Sequence, residues 1–145
     1  VPEAVALLGR IFGRIIVVSN QKCVGKGLIT TQQMEEIHSR MVREITAAGG
    51  RIDRVYYCPD LEQDSDCRKP NTGMGIQASR DYPEIDFFRS LLIGNKLSDM
   101  DFGRRLGMTN IFVRTTDPSF SLPHPWVDQV FEDLPAASQS LGLQV

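Results

Sequence analysis

Residues 14–19, Arg-Ile-Ile-Val-Val-Ser, form a continuous apolar run of strand length with no polar alternation. A strand that is apolar on both faces must be covered on both faces, which is the condition of a buried parallel strand. Four later segments read as strands too: Asp53–Cys58, Arg89–Ile93, Asn110–Arg114 and a short Val127–Phe131. Helical patterns lie between them. Pro2 suits a first helical turn, Ala4, Val5, Leu7, Leu8, Ile11 and Phe12 follow as an apolar stripe, and Gly13 ends it. Thr30-Thr31-Gln32-Gln33 is a capping-box start. Met34, Ile37, Met41, Ile45 and Ala48 then mark one helix face, and Gly49-Gly50 stops it. Thr72 is positioned to cap a helix running to about Tyr82, bounded by Pro83, and Ser98 to cap one ending at Gly107. Leu134–Leu141 closes the chain as a helix. Strands alternating with helices predict one α/β domain over residues 1–145, a three-layer parallel sheet with helices on both faces. Right-handed crossovers put the strand ends and their loops on one edge, where such sheets bind ligands.

Charge and cysteine content narrow the function. A net charge of −2 gives no electrostatic case for nucleic acid or an anionic membrane. No apolar run reaches the roughly 20 residues that span a bilayer. Val1-Pro2-Glu3-Ala4 has neither the basic flank nor the apolar core of a signal peptide. Three cysteines, an odd number, argue against a disulfide framework and for a reducing cytoplasm with free thiols.

Two short motifs carry chemistry. Asp66-Cys67-Arg68-Lys69-Pro70 places a fixed cation pair just before a helix. Arg grips a phosphate with paired hydrogen bonds, and Lys adds a point charge. The alternative is a solvated basic loop that neutralises Asp64 and Asp66. Gly94-Asn95-Lys96-Leu97-Ser98-Asp99-Met100 follows an apolar strand and offers an amide and a carboxylate to a hard cation such as magnesium. Asp99 alternatively serves only the macrodipole of its helix. Ser19-Asn20-Gln21, at a strand end, offers a hydroxyl and backbone amides to a phosphoryl oxygen, or simply turns the chain. Gly25-Lys26-Gly27 lacks P-loop spacing. Cys58 and Cys67 flank an acidic loop, residues 60–66, but two sulfurs and no histidine make a poor zinc set. His38 and His124 stand alone and do not look catalytic.

In this order and spacing, Val-Val-Ser-Asn-Gln, Tyr-Tyr-Cys-Pro, Asp-Cys-Arg-Lys-Pro and Gly-Asn-Lys-Leu-Ser-Asp-Met resemble the haloacid dehalogenase (HAD) superfamily. The branch they match contains D,D-heptose 1,7-bisphosphate and histidinol-phosphate phosphatases. The resemblance implies a magnesium-dependent phosphatase of a small phosphorylated metabolite, working through an aspartyl-phosphate. It implies that Ser19 and Lys69 act on the transferred phosphoryl group and that Asn20, Gln21, Lys22, Arg68 and Lys96 meet the substrate. Asn95 and Asp99 would hold magnesium, with Asn95 standing where the family has an aspartate. Relatives carry a zinc loop of cysteines and a histidine. Here Asp60 and Ser65 replace two of those ligands, leaving Cys58 and Cys67, so zinc is not expected.

The family's Asp-x-Asp pair, which supplies the nucleophile, is absent. In the family it ends a central strand between the strands that here end at Ser19 and Ile93. Its loss would strip two rows of backbone groups of partners, at about 1–3 kcal/mol for each buried unmet group. The expectation is therefore an omitted amino-terminal segment, a complementing chain, or re-paired strands, with no turnover by these 145 residues alone. A non-catalytic remnant that binds a phosphorylated ligand or a partner protein is the rival reading.

Overall fold

The computed structural model describes residues 1–62 and 64–143. Gln63, inside the expected 60–66 loop, lies outside the described residues. The order is α1 (Pro2–Ile11), β1 (Ile16–Asn20), α2 (Lys22–Gly25), α3 (Thr31–Ala47), β2 (Arg54–Cys58), α4 (Gly73–Asp81), β3 (Leu91–Gly94), α5 (Leu97–Leu106), β4 (Thr109–Val113), β5 (Gln129–Phe131) and α6 (Leu134–Leu143).

Strand alternation sorts the core into faces. On β4, Ile111 and Val113 pack with Leu8 of α1 and with Ala137 and Leu141 of α6. Phe112 between them points the other way, onto Met100 and Phe102 of α5. On the same side as α5, Met74 and Ala78 of α4 pack against Tyr56 and Cys58 of β2. These are the three expected layers. All strand pairs are parallel.

The sheet is divided, however. β1 pairs with β2, and β3 pairs with β4, which pairs with β5. No hydrogen bonds join β1 to β3 among the described residues. Between these edges lies a cleft of about 870 Å³, lined by both strands and flanked from opposite faces by side chains such as Leu8 and Phe102. β1 is accordingly only half-buried along its whole length, against the full burial its apolar sequence predicts. The gap, with room for a strand, lies between β1 and β3, where the sheet was expected to lack its central strand.

Local signals resolve as follows. Thr30 caps α3, its hydroxyl accepting from Gln33 N at 3.0 Å while Gln33 Oε1 accepts from Thr30 N at 2.8 Å. Gly107 ends α5 with φ of 84°, the left-handed conformation that favours glycine. Ser98 does not cap α5. The helix begins at Leu97, and Asp99 reaches back to accept the Lys96 N–H at 3.2 Å. Thr72 precedes α4 but gives it no side-chain cap. The third strand begins at Leu91, because Phe87–Arg89 forms a 3₁₀ turn held by Asp86.

Candidate active site

β1 and β3 end side by side, and the cleft between them opens into a second cavity of about 930 Å³. Four residues line both spaces: Ser19, Lys69, Asn95 and Asp99. Residues from the three sequence segments thus meet at one place.

Lys69 is the centre of the arrangement. Asn20 clamps its peptide at two points, accepting from Lys69 N at 3.0 Å and donating to Lys69 O at 3.2 Å. The ammonium then donates to Val18 O of β1 at 3.0 Å and to Asp99 Oδ1 at 2.6 Å. Asp99 follows β3, so this one side chain bridges the two sheets at the mouth of the cleft. The pair is largely withdrawn from water, with 12% and 10% of the side chains exposed. The other Asp99 oxygen accepts from Asn95 N and Lys96 N, both at 3.2 Å. Gly94 makes this fit possible, since a Cβ there would lie 2.5 Å from the Asp99 Cβ.

Ser19 Oγ accepts a hydrogen bond from Gln21 Nε2 at 2.6 Å. Its own hydrogen is thereby left to donate toward the cavity. Gln21 does not line the cavity itself; it orients Ser19. Arg68 lines it and is 9% exposed, with its guanidinium donating to the carbonyls of Asp60 and Leu61. Lys22 and Lys96 lie on the rim, exposed.

Arg105, Asn71 and Thr115 complete the surroundings and were not foreseen. Arg105 lines the cavity and donates to Asn71 Oδ1 at 3.0 Å. Asp101 holds it through a second hydrogen bond of 3.0 Å. Burial raises the Asp101 carboxyl, but hydrogen bonds from Arg104 and Arg105 outweigh this and hold it below its ordinary value. The Asp101–Arg105 spacing of i and i+4 was visible in sequence as a helix-face pair, but its nearness to Asn71 was not. Thr115, just past β4, accepts from Asn95 Nδ2 at 3.3 Å. In all, five cationic side chains and two carboxylates, Asp64 and Asp99, line the larger cavity. In a chain of net charge −2, that local excess favours an anion. Asn95 and Asp99 offer hard oxygens and fit magnesium in kind, as part of a shell that water and ligand oxygens complete.

The cysteine expectation needs correction. Cys58 and Cys67 are joined as a disulfide, with their Cα atoms 5.6 Å apart. They are not free thiols, and in this bonded state neither is a thiolate able to ligate zinc. An odd count excludes full pairing but not one bridge, and only the fold brings the end of β2 beside the turn before Arg68. Asp60 stands close by, its carboxylate within 4.8 Å of both sulfurs. Cys23 is free and half-buried.

A layered α/β body with a cationic, oxygen-donor pocket at its strand ends has its cavity where open α/β sheets bind ligands. The HAD-hydrolase-like family model matches residues 66–137. D-glycero-D-manno-heptose-1,7-bisphosphate 7-phosphatase of Chlorobaculum tepidum is 32% identical over 143 residues, covering 90% of this chain and 71% of that protein. The D-glycero-beta-D-manno-heptose-1,7-bisphosphate 7-phosphatase of Escherichia coli O6:H1 is 34% identical over 135 residues, covering 85% and 70%. The crystal structure of D,D-heptose 1,7-bisphosphate phosphatase from B. bronchiseptica, complexed with magnesium and phosphate, superposes with a TM-score of 0.86. It is 27% identical and is matched over 99% of this chain and 82% of its own. The chain belongs to the HAD-like hydrolases, in the heptose bisphosphate phosphatase family.

Proposed function

We propose that this chain is the phosphoryl-handling body of a phosphomonoester hydrolase acting on a small phosphorylated metabolite, of the heptose bisphosphate or histidinol phosphate kind. The observation that supports it best is the meeting of Ser19, Lys69, Asn95 and Asp99 where the two cavities join. In this reading the Ser19 hydroxyl donates to a phosphoryl oxygen, and the Lys69 ammonium neutralises charge developing on the transferred group. Asn20 and Gln21 position these two. Arg68, Lys22 and Lys96 meet the remainder of the ligand, and their spread around a wide cavity suits a second phosphate. Magnesium, held by Asn95 and Asp99, would neutralise phosphoryl oxygens.

The nucleophile is the open part of the reading. Asp99 is held by Lys69 and two backbone N–H groups. Asp64 sits on the loop between the two bonded cysteines. Neither is poised for in-line attack. We place the nucleophile on an extended segment that occupies the cleft between β1 and β3, supplied upstream on the same polypeptide or by another chain, and we place the enzyme in the cytoplasm.

The test adds an apolar peptide of about the five-residue length of β1, ending in Asp-x-Asp, to the full 145-residue chain with magnesium and heptose 1,7-bisphosphate. Phosphate release should need the peptide, should fail with Asn-x-Asp, and should fail in Lys69→Met. Equal release without peptide would refute the assignment of the nucleophile. Tight phosphate binding with no release under any peptide would instead favour the non-catalytic reading.

A further inference from the structure

Arg68 owes its position to the loop that the disulfide closes. Cys58, at the end of β2, is wholly buried, whereas Cys67 is half-buried and so reachable from solvent. The carbonyls that hold the Arg68 guanidinium belong to Asp60 and Leu61, inside that loop. Arg68 N also donates to Ser65 O at 3.1 Å, and Asn71 Nδ2 donates to the same carbonyl at 3.0 Å. Asn71 in turn accepts from Arg105. Two of the cavity's cations therefore rest on one short loop pinned at both ends by a single covalent bond.

We propose that the Cys58–Cys67 bond is a reversible redox clasp that fixes this loop, and through it sets the anion affinity of the cavity. The second half of this rests on the phosphoryl-binding reading above. In the reducing direction, a dithiol delivers two electrons and two protons to the Cys58–Cys67 disulfide. Two thiols form, and the dithiol becomes its own disulfide. Exchange begins at Cys67, the more accessible end. Once freed, Cys67 lies beside the Asp60 carboxylate, 3.5 Å from its Oδ2. With the Cys58–Cys67 bond broken, no covalent cross-link joins the two ends of the loop. The loop loosens, the Asp60 and Leu61 carbonyls leave Arg68, and the cation becomes mobile.

The experiment compares the full chain oxidised and reduced, with a chelator present so that no metal bridges freed sulfurs. Hydrogen exchange between the two cysteines reads the clasp, and titration with inorganic phosphate reads the site. Reduction should speed exchange in that segment and weaken phosphate binding by about tenfold, what one charge-assisted hydrogen bond supports. Reoxidation should restore both. Cys67→Ser should show the reduced behaviour with or without reductant. Three titratable thiols in the air-oxidised chain, or exchange unchanged by reductant, would overturn the proposal. Exchange that responds while neither state binds phosphate would uphold the clasp and defeat the phosphoryl reading. Equal phosphate affinity in both states, with exchange responding, would overturn the coupling to the site.

Discussion

Replacing Asp99 with asparagine keeps the shape of the side chain and removes its charge. The amide oxygen can still accept from Asn95 N and Lys96 N, so the start of α5 is kept. What changes is the environment of Lys69. Its ammonium loses the 2.6 Å carboxylate contact, keeps the Val18 carbonyl, and faces an amide NH₂ instead of an anion. With 12% of the Lys69 side chain exposed, water does little to compensate. Breaking a buried pair by removing one partner costs about 3–5 kcal/mol, against roughly 0.2–1 kcal/mol for an exposed pair. Because the helix start survives, the low end applies, about 3 kcal/mol. At a urea slope of about 2 kcal/mol/M the midpoint should fall by roughly 1.5 M. Lys69→Met should cost less than Asp99→Asn, because Asp99 retains two backbone donors while Lys69 retains one carbonyl. Joining Lys69→Met to Asp99→Asn removes the stranded charge and should recover most of the loss. A single-variant loss under about 1 kcal/mol, or a double variant that loses the sum of its parents, would refute the claim that this is a desolvated bridge.

Three further outcomes follow from other contacts. Burial, and then the hydrogen bond to Asp81, push the Tyr56 hydroxyl up to about 12. A raised value favours the protonated form in the fold, so this stability is complete below about pH 10, the unfolded value, and is lost as pH rises toward 12. Tyr56→Phe should flatten the urea midpoint across that window, and an unchanged slope would contradict the burial argument. Asn95→Asp adds a carboxylate beside Asp99 and should tighten magnesium binding by calorimetry on the order of tenfold; no change would remove Asn95 from the metal site. Gly94→Ala drives a methyl into Asp99 and should destabilise by about 1–3 kcal/mol and weaken phosphate binding. Gly13→Ala, whose added Cβ meets nothing within 4 Å, is the control and should leave phosphate binding unchanged.

Much of this was legible because local physics decides it. The run at 14–19 reads as a strand from its apolar residues alone, and β1 occupies Ile16–Asn20, though half-buried. Thr30 and Gln33 lie three apart, and a capping box needs no tertiary partner. The errors fall where a distant group decides. Ser98 is a reasonable cap by composition, but Asp99 answers to Lys69, 30 residues away, and the helix starts where that carboxylate can serve both. Cys58 and Cys67 could not be paired from spacing alone, because their approach depends on how β2 meets the turn before Arg68. Arg105 was hidden for the same reason, its partner Asn71 lying 34 residues upstream.

The divided sheet gives the candidate site an unusual mechanical dependence. Ser19 rides on β1, while Asn95 and Asp99 ride on the segment after β3, and among the described residues no strand pairing fixes one against the other. The Lys69 bridge is polar and sits at one end of the cleft. Down the rest of its length the two edges meet through shared apolar clusters, Ile15 with Leu91 and Ile93 and Val18 with Leu92, and not through strand pairing among the described residues. A phosphoryl ligand touching both Ser19 and Asn95 would draw the edges together, and a strand in the cleft would do the same through backbone hydrogen bonds. The two events therefore share one free-energy term. By linkage, whatever factor the strand adds to phosphate affinity, phosphate must add to strand affinity. Measuring both factors with the Asp-x-Asp peptide separates an assembled catalytic pocket from two independent binding sites, because only the first makes the factors exceed one and agree.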